Sequence, residues 1–483
     1  MLTRLRVQGF KSLADVDIRF GPFTCIAGAN GVGKSNLFDA LGFLRDLTLY
    51  EIGEAASRVR DPEGKAGSLQ SIFTQTEKGH ADTLRFEADL IVPSEVTDDY
   101  GRKAEAKITY LEYQLELKYR PATDIQSDRL ELVHESLTYV ALGDAKQRLG
   151  FPHSKEFRTS VVSGRSTTAL ISTVEDERQM VSIKLHQDGR GGPPFKVSAR
   201  QTPRTVLGGI NTDTYPTALA ARREMQSWMF LQLEPSALRQ PDSYAADAHL
   251  TASGAHMPAT LRRLEAKQAI ISNRLAELLE VRRVEVQADP MRRLYTVMLL
   301  NRNGVAMPAR ALSDGTLRFL ALSIICEDVE SGRLIALEEP ENGIHPARIP
   351  AMLELLEDMA ADSSLPVDAD NPLRQVIINT HSPAVVAALP AESLVVSGSV
   401  KRGGSAFTIF ECIADSWRGT KVSPPMPSTT LGMLGDYLEK PGTTVEHPPS
   451  TTQSSAVKNP KTVRQYYDEQ QLQFRFDKMG NGA

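Results

Sequence analysis

The chain has 483 residues, of which 41% are hydrophobic and 24% charged, and its formal net charge is −5. This length predicts two to four compact units, and the charge supplies no global basic field of the kind that marks a nucleic-acid-binding protein, although a local patch would suffice. The three cysteines are far apart, which argues against a disulfide framework or a cysteine-based zinc site and favours a cytoplasmic protein. The sequence shows no signal-like start and no run of about 18 apolar residues, so we expect no membrane span.

Residues 1–92 are predicted to alternate strands with one helix. Alternating apolar residues over 2–20 predict two strands around a turn at Gly9, and residues 23–27 predict a buried strand. Beyond residue 35 the spacing becomes helical, with apolar side chains at Leu37, Leu41, Leu44 and Leu47. A glycine-rich segment therefore lies between a strand and a helix.

Residues 93–300 are predicted to form a lobe of strands and helices. The runs 84–92, 106–119 and 130–142 predict strands, and the runs 217–233 and 258–281 predict helices without a sustained heptad pattern. Alternating α/β character returns over 301–415, with a helix near 315–328, a strand at 334–337, a helix at 347–361 and a strand at 376–379. Residues 416–483 are rich in Pro, Ser and Thr, which predicts a largely disordered tail with a docking segment at 463–476.

The glycine-rich segment fits the phosphate-binding pattern G-x-x-x-x-G-K-[ST] with Gly28, Ala29, Asn30, Gly31, Val32, Gly33, Lys34 and Ser35. Glycines allow backbone N–H groups to face phosphates, and the helix that follows directs its positive end at them. Lys34 is predicted to reach the β- and γ-phosphates of ATP, and Ser35 to offer its hydroxyl to Mg²⁺. Asn36, in the first turn of the helix, joins the predicted ATP-binding residues.

Three further motifs carry acidic, hydroxyl or imidazole groups at the ends of elements. The strand at 334–337 runs into Glu338, predicted to hold Mg²⁺, and Glu339, predicted to orient or deprotonate the attacking water. Ser313, Gly315 and Thr316 open a helix, which is either a second anion-binding site or an ordinary helix cap. His381 follows the strand at 376–379 and is either a γ-phosphate sensor or a structural histidine.

In this fixed order the motifs resemble those of RecF/SMC/OLD-like ABC-type ATPases, broadly described as AAA family (AAA_21-like) ATPases, which include subunits of bacterial anti-phage defence systems. The opening Phe10-Lys11-Ser12 is similar to a turn of that branch, and residues 340–345 match its D-loop. The resemblance covers residues 1–45 and 305–400. It implies an α/β fold, an ABC-type P-loop head whose mixed sheet is flanked by helices, with a β-rich and helical insertion between the Walker A loop and the signature motif.

The resemblance also assigns roles. It implies catalysis by Glu339, His381 and Lys34, a metal site at Ser35 and Glu338, and contact of Ser313, Gly315 and Thr316 with ATP held by a second copy of the chain. The motifs depart from the family pattern in two ways: the Walker B pair is Glu-Glu rather than Asp-Glu, and the signature is LSDGT rather than LSGGQ. The Q-loop glutamine is not identified, and Gln70 and Gln75 are the candidates.

These roles predict an ATP- and Mg²⁺-dependent homodimer or higher oligomer whose hydrolysis drives a conformational switch. We expect the ATPase sensor or motor subunit of an anti-phage system, with a separate nuclease or toxin as effector, because residues after 381 show no acidic set of a TOPRIM nuclease. A RecF/SMC-like DNA repair ATPase, with DNA as partner, is the first alternative. A scaffold held together by nucleotide without turnover and a transport-coupled ABC subunit are the others.

Overall fold

The computed structural model describes residues 1–60, 68–77, 79–124, 126–164, 168–177, 180–188, 192–278, 281–402 and 404–430. The predicted disordered tail beyond residue 430 and its docking segment at 463–476 lie outside the described residues. Within these ranges no helix is both long enough and apolar enough to cross a lipid bilayer.

A seven-stranded mixed sheet forms the first of two large sheets. Its strands lie in the order β14 (Met229–Leu231), β19 (Leu334–Glu338), β20 (Gln375–Thr380), β3 (Phe23–Ala27), β21 (Leu394–Arg402), β22 (Ser405–Ile413) and β23 (Ser428–Thr429). The first five run parallel to one another, and β22 pairs antiparallel with β21. Because the carboxyl ends of parallel strands meet at one edge, the segments that follow β14, β19, β20 and β3 converge there.

An antiparallel sheet of eight strands is the second. Its order is β13 (Phe195–Ser198), β12 (Val181–Leu185), β11 (Ile171–Glu175), β10 (Arg129–Tyr139), β9 (Tyr110–Arg120), β6 (Thr83–Ile91), β1 (Leu2–Phe10) and β2 (Leu13–Arg19). The smaller sheets contain β15 (Asp242–Ser243), β16 (Val281–Asp289), β17 (Leu294–Asn301) and β18 (Ala306–Pro308), the pair β4 (Gln75–Thr76) and β5 (Gly79–His80), and the pair β7 (Glu95–Thr97) and β8 (Lys103–Glu105).

The helices are short relative to the sheets. They are α1 (Lys34–Asp46), α2 (Ile52–Ser57), α3 (Ala145–Leu149), α4 (Lys155–Val161), α5 (Pro216–Gln226), α6 (Pro235–Leu238), α7 (Met257–Arg263), α8 (Gln268–Leu278), α9 (Asp314–Glu327), α10 (Ile349–Asp358), α11 (Pro383–Ala388) and α12 (Trp417–Thr420). Helices α1 and α5 share one apolar cluster with the antiparallel sheet, and α9 and α10 share another with α7 and α8.

The mixed sheet is buried on both faces, and alternate side chains along a strand point into opposite apolar clusters. In β19, Leu334 and Ala336 point into the cluster that contains α1, whereas Ile335 and Leu337 point into the cluster that contains α9. A parallel strand covered on both faces is expected to be continuously apolar, and β19 is apolar up to its final residue, Glu338. The carboxylates therefore begin where the buried strand ends.

The predicted α/β class, with a mixed sheet flanked by helices, is confirmed, and three local predictions are wrong. The first turn lies at residues 11–12, and Gly9 is inside β1 with φ +76, where a side chain would overlap the carbonyl of Thr83. The predicted helix 217–233 ends at Gln226, because residues 229–231 instead pair with β19. The predicted helix 258–281 is broken into α7 and α8 by a 3₁₀ turn.

The predicted domain boundaries stay a prediction. Strand pairing crosses them twice: β1, β2 and β6 share a sheet with strands from the range 93–300, and β14 from that range joins the mixed sheet.

Candidate functional site

The phosphate-loop residues lie between β3 and α1, as their spacing predicts. Gly33 caps α1 with φ +97 and supplies no side chain, so no side chain occupies the N–H groups of the first helical turn. The N-terminus of a 13-residue helix with open N–H groups is a suitable place for a phosphate. The start of the loop is anchored by the Gly28 N–H, which donates to Thr380 O at 3.2 Å.

Lys34 folds back over the loop that precedes it. Its Nζ donates to Gly28 O at 2.6 Å and to Ala29 O at 2.7 Å. The side chain is buried, and burial lowers the pKa of the ammonium group against the opposing attraction of Glu339 and Glu341. The ammonium group is thus held at the mouth of the loop, near several acidic groups.

The predicted metal-binding pair is in direct contact. Ser35 Oγ donates to Glu338 Oε2 at 2.7 Å, although the two residues are 303 positions apart. Glu338 also lies 3.5 Å from Asn379 Nδ2, on the neighbouring strand. A hydroxyl and a carboxylate are the oxygen ligands that Mg²⁺ prefers, so these residues fit that ion.

Glu339 has a strained backbone and two side-chain partners. Its φ is +48, and its N–H donates to both O and Oδ1 of Asn379 at 3.0 Å. Its Oε1 lies 2.8 Å from His381 Nδ1, and its Oε2 accepts from Asn342 Nδ2 at 2.7 Å. A non-glycine residue at positive φ persists only where its surroundings hold it, and such positions cluster at functional sites.

A second carboxylate lies behind Glu339. Glu341 is buried and accepts a hydrogen bond from Thr380 Oγ1, which itself accepts from the N–H of Ser382 at 2.9 Å. Burial raises the pKa of the Glu341 carboxyl above its ordinary value, and the negative charge of Glu339 raises it further. Its Oε2 has no partner among the described residues. The loop after β19 therefore places two acids beside His381.

A cation that the sequence analysis did not single out also contacts Glu338. Arg60 donates from its guanidinium to Glu338 Oε1 at 2.8 Å and to Asp39 Oδ1 at 2.6 Å. Lys11, in the turn between β1 and β2, bonds the other oxygen of Asp39 at 2.7 Å. Spacing along the chain could not have revealed these contacts, because they join four separate segments.

The predicted signature residues begin helix α9. Ser313 caps the helix by accepting from the Thr316 N–H at 3.3 Å, and its Oγ lies 2.9 Å from Thr316 Oγ1. Gly315 faces Gly343, whose carbonyl oxygen would lie 3.1 Å from an added side chain. Ser313 is exposed. This geometry is therefore compatible with both alternatives, an ordinary helix cap and a second anion-binding site.

Two clefts meet at the carboxyl ends of β14 and β19. The first, of about 190 Å³, is lined by residues that include Asp39, Arg60, Gln232 and Glu338. The second, of about 350 Å³, is lined by residues that include Gln232, Glu338 and Glu339. In the described part of the chain, residues 311–316 line neither cleft.

Gln232 is the functional candidate that the sequence analysis missed. It directly follows β14, the neighbour of β19, and it lines both clefts. Gln70 lies in a 3₁₀ turn and Gln75 in β4, and neither lines these clefts within the described ranges. The sequence feature that could have indicated Gln232 is the short apolar run at 229–231. This run continues the apolar pattern of the preceding helix, so it does not stand out as a strand.

The structure therefore brings together Lys34, Ser35, Glu338, Glu339 and His381. Ser313 and Gly315 begin a helix whose Arg318 lines the second cleft, but within the described ranges they line neither cleft themselves. The roles assigned to all of these residues remain predictions.

Two protein families match parts of this chain. The family described as "AAA domain, putative AbiEii toxin, Type IV TA system" matches residues 145–387, and a second AAA domain family matches residues 4–81. The chain is 38% identical over 60 residues to a DNA replication and repair protein RecF of Paenarthrobacter aurescens, covering 12% of this chain and 15% of that protein. It is 38% identical over 63 residues to an OLD nuclease of Thermus scotoductus, covering 13% of this chain and 11% of that protein.

The chain thus spans only a small part of the length of the curated relatives it matches. Among solved structures, the Smc head bound to the C-terminal winged-helix domain of ScpA aligns with a TM-score of 0.44 and 14% identity, over 85% of this chain and 98% of that one.

Proposed function

Since the chain belongs to the AAA_21 family, among the RecF/SMC/OLD-like ABC-type ATPases, we propose that it binds ATP with Mg²⁺ at residues 28–35 and hydrolyses it. The observation that carries the proposal is the 2.7 Å contact between Ser35 and Glu338. It joins the phosphate loop to the acidic end of β19 and leaves Glu339 one residue further along.

The chain's own groups divide the work of hydrolysis. Lys34 and the open N–H groups of α1 bind and orient the phosphates. Glu339 accepts a proton from the attacking water, or orients it, while His381 and Asn342 hold the two carboxylate oxygens in place. Mg²⁺ held by Ser35 and Glu338 would neutralise charge on the phosphate oxygens. Gln232 is our choice for the Q-loop residue that borders this site.

Turnover of purified protein tests the proposal. Because Glu339 supplies the base, Glu339→Gln should lower the rate of phosphate release from ATP by about 100-fold or more while retaining nucleotide binding. Lys34→Ala should abolish nucleotide binding. Glu354→Gln, at an exposed position on α10, is the matched control and should leave the rate unchanged.

If the wild type releases phosphate from ATP no faster than Glu339→Gln does, the proposal of hydrolysis is refuted. If the wild type nevertheless binds ATP, the alternative of a scaffold held together by nucleotide replaces that proposal.

We propose further that ATP closes a homodimer, or a higher oligomer, of heads. The support is that Ser313 and Gly315 line neither of the described clefts beside Glu338 in the same chain. Ser313 is exposed at the N-terminus of the 14-residue helix α9, where N–H groups can meet the γ-phosphate bound by another copy. Closure by ATP requires that the nucleotide bind the closed form more tightly than the open one.

For the biological role we propose a cytoplasmic sensor or motor subunit of an anti-phage defence system that acts with a separate nuclease or toxin. The family description, which names a toxin of a toxin–antitoxin system, and the OLD nuclease relative support it. The RecF relatives support the second candidate, an ATPase of DNA repair or maintenance with DNA as its partner. ATPase rates measured with and without duplex DNA separate the two, because only the second requires stimulation by DNA itself.

A further inference from the structure

The contact between Arg60 and Glu338 has no place in the functions proposed so far. The guanidinium lies 2.8 Å from Glu338 Oε1, while Oε2 of the same carboxylate accepts from Ser35. Arg60 also donates to Ser35 O at 3.2 Å. Arg60 therefore contacts one of the two groups expected to hold Mg²⁺, the Glu338 carboxylate, and the backbone of the residue that carries the other, Ser35.

Two further segments, helix α1 and the turn between β1 and β2, set the position of Arg60. Asp39, in α1, holds the guanidinium at 2.6 Å through one oxygen and Lys11 Nζ at 2.7 Å through the other. Lys11 also donates to the carbonyl oxygen of Arg60 at 2.5 Å. The neighbouring Ser12 accepts from Asn36 Nδ2 at 2.6 Å, which ties the same turn to the first turn of α1.

This arrangement accounts for the Phe-Lys-Ser turn noted in the sequence. Lys11 adopts φ +46, an uncommon backbone conformation for a lysine, and its side chain is almost fully buried between Asp39 and the backbone of Arg60. The four charged groups alternate in sign from Lys11 through Asp39 and Arg60 to Glu338. The cluster is neutral as it stands, and a divalent cation at Glu338 would add two positive charges beside Arg60.

We propose that Arg60 competes with Mg²⁺ for Glu338, so that metal loading requires the guanidinium to leave that carboxylate. This inference rests on the proposed function, because it takes Glu338 as a ligand of Mg²⁺. A guanidinium and a divalent cation on one carboxylate repel each other, and the repulsion is partly screened because the Arg60 side chain is 48% exposed.

The competition also explains the glutamate at the first Walker B position. The carboxylate of Glu338 spans Ser35 on one side and Arg60 on the other. An aspartate would withdraw the carboxylate by about 1.5 Å, one carbon–carbon bond, and would not reach both partners with this backbone. The longer side chain of glutamate therefore allows Glu338 to hold the Arg60 guanidinium next to the phosphate loop.

The test is a Mg²⁺ titration of nucleotide binding, with a fluorescent non-hydrolysable ATP analogue as the probe. Affinity is measured first in EDTA and then at rising Mg²⁺ for the full-length wild type, Arg60→Ala and Arg60→Gln. Both substitutions should lower the Mg²⁺ concentration at half-saturation by about fivefold, the upper range for a partly exposed ion pair. Affinity in EDTA should change by less than about twofold.

Arg58→Ala is the matched control. Arg58 lies on the same segment and lines the same cleft, but it pairs with Asp46 and Glu54, so its loss should not change the Mg²⁺ dependence. Mn²⁺ bound in the presence of the analogue, counted by electron paramagnetic resonance, gives a second readout and should show the same order of affinities.

If the Mg²⁺ concentration at half-saturation is unchanged in both Arg60 variants, the inference is overturned. If that concentration is raised, the inference is overturned too, since Arg60 would then support the metal site. A wild type that binds no analogue in EDTA or in Mg²⁺ would instead overturn the proposed function and the inference with it.

Discussion

Replacing Gly33 with alanine tests whether the phosphate loop is held by packing as well as by backbone conformation. Gly33 has φ +97, and a side chain at this position would overlap Thr408 Oγ1 and come within 2.7 Å of Ser12 Oγ. Thr408 is buried, and its hydroxyl donates to Val32 O at 2.8 Å and lies 2.6 Å from Ser12 Oγ. An added methyl group must therefore displace a hydroxyl that makes two hydrogen bonds.

The magnitude follows from these two costs. The left-handed backbone conformation costs an alanine about 1–2 kcal/mol relative to glycine. Loss of the two hydrogen bonds of Thr408 adds about 1 kcal/mol each. Gly33→Ala should therefore lower the free energy of unfolding by about 3–4 kcal/mol. Gly31 has φ +79 with no atom within 4 Å of an added side chain, so Gly31→Ala should cost only about 1–2 kcal/mol.

Urea denaturation of both variants and the wild type, followed by circular dichroism, measures the difference. Gly31→Ala acts as the matched control, because it carries the backbone cost without the overlap. Equal losses in the two variants would refute the packing argument. A Gly33→Ala loss that stayed at about 3–4 kcal/mol in a Thr408→Ala background, rather than falling to the backbone cost of about 1–2 kcal/mol, would refute the assignment to Thr408.

Two further predictions concern separate parts of the molecule. Ser313→Arg should leave ATP binding by the monomer intact but prevent ATP-driven dimerisation, as measured by sedimentation velocity, and a variant that still dimerises would count against the sandwich of two heads. Burial raises the pKa of Glu135 to about 7, above its ordinary 4.5, against the hydrogen bonds from the N–H groups of Leu207 and Val206 and from Tyr113. Because the pKa of Glu135 is higher in the folded state than in the unfolded state, raising the pH from 4.5 through 7 should destabilise the wild type. Its free energy of unfolding should fall by about 3 kcal/mol relative to that of Glu135→Gln. A difference between the two proteins that does not change with pH would contradict this.

The parts of the fold that the sequence predicted well are those specified by local pattern. Residues 23–27, 334–337 and 376–379 are short, mostly apolar runs of the kind that a sheet covered on both faces buries, and all three lie in strands of the mixed sheet. The phosphate loop and the acidic pair that begins with the last residue of β19 were found for the same reason, since each is a short motif at the end of such a run.

The parts that were missed depend on pairing between distant segments. Strand β14 has only three residues and owes its existence to β19, so Gln232 could not be placed from local spacing. Strand β16 was not predicted, because it forms by pairing with β17 as half of a hairpin. Arg60 shows no local pattern, because its partners come from β19 and α1.

The mixed sheet also constrains how the chain is made. Its strand β3 is synthesised early, but its neighbours β20 and β21 come from the far end of the chain, and Gln375 at the start of β20 bonds Gly21 across 354 residues. At typical translation rates β3 waits roughly 20–70 s for these neighbours. During that interval the apolar faces of β3 and the phosphate loop have no sheet to join. The nascent protein cannot complete the proposed ATP site until nearly all of the described chain has left the ribosome, so we expect the N-terminal segment to need chaperones during synthesis.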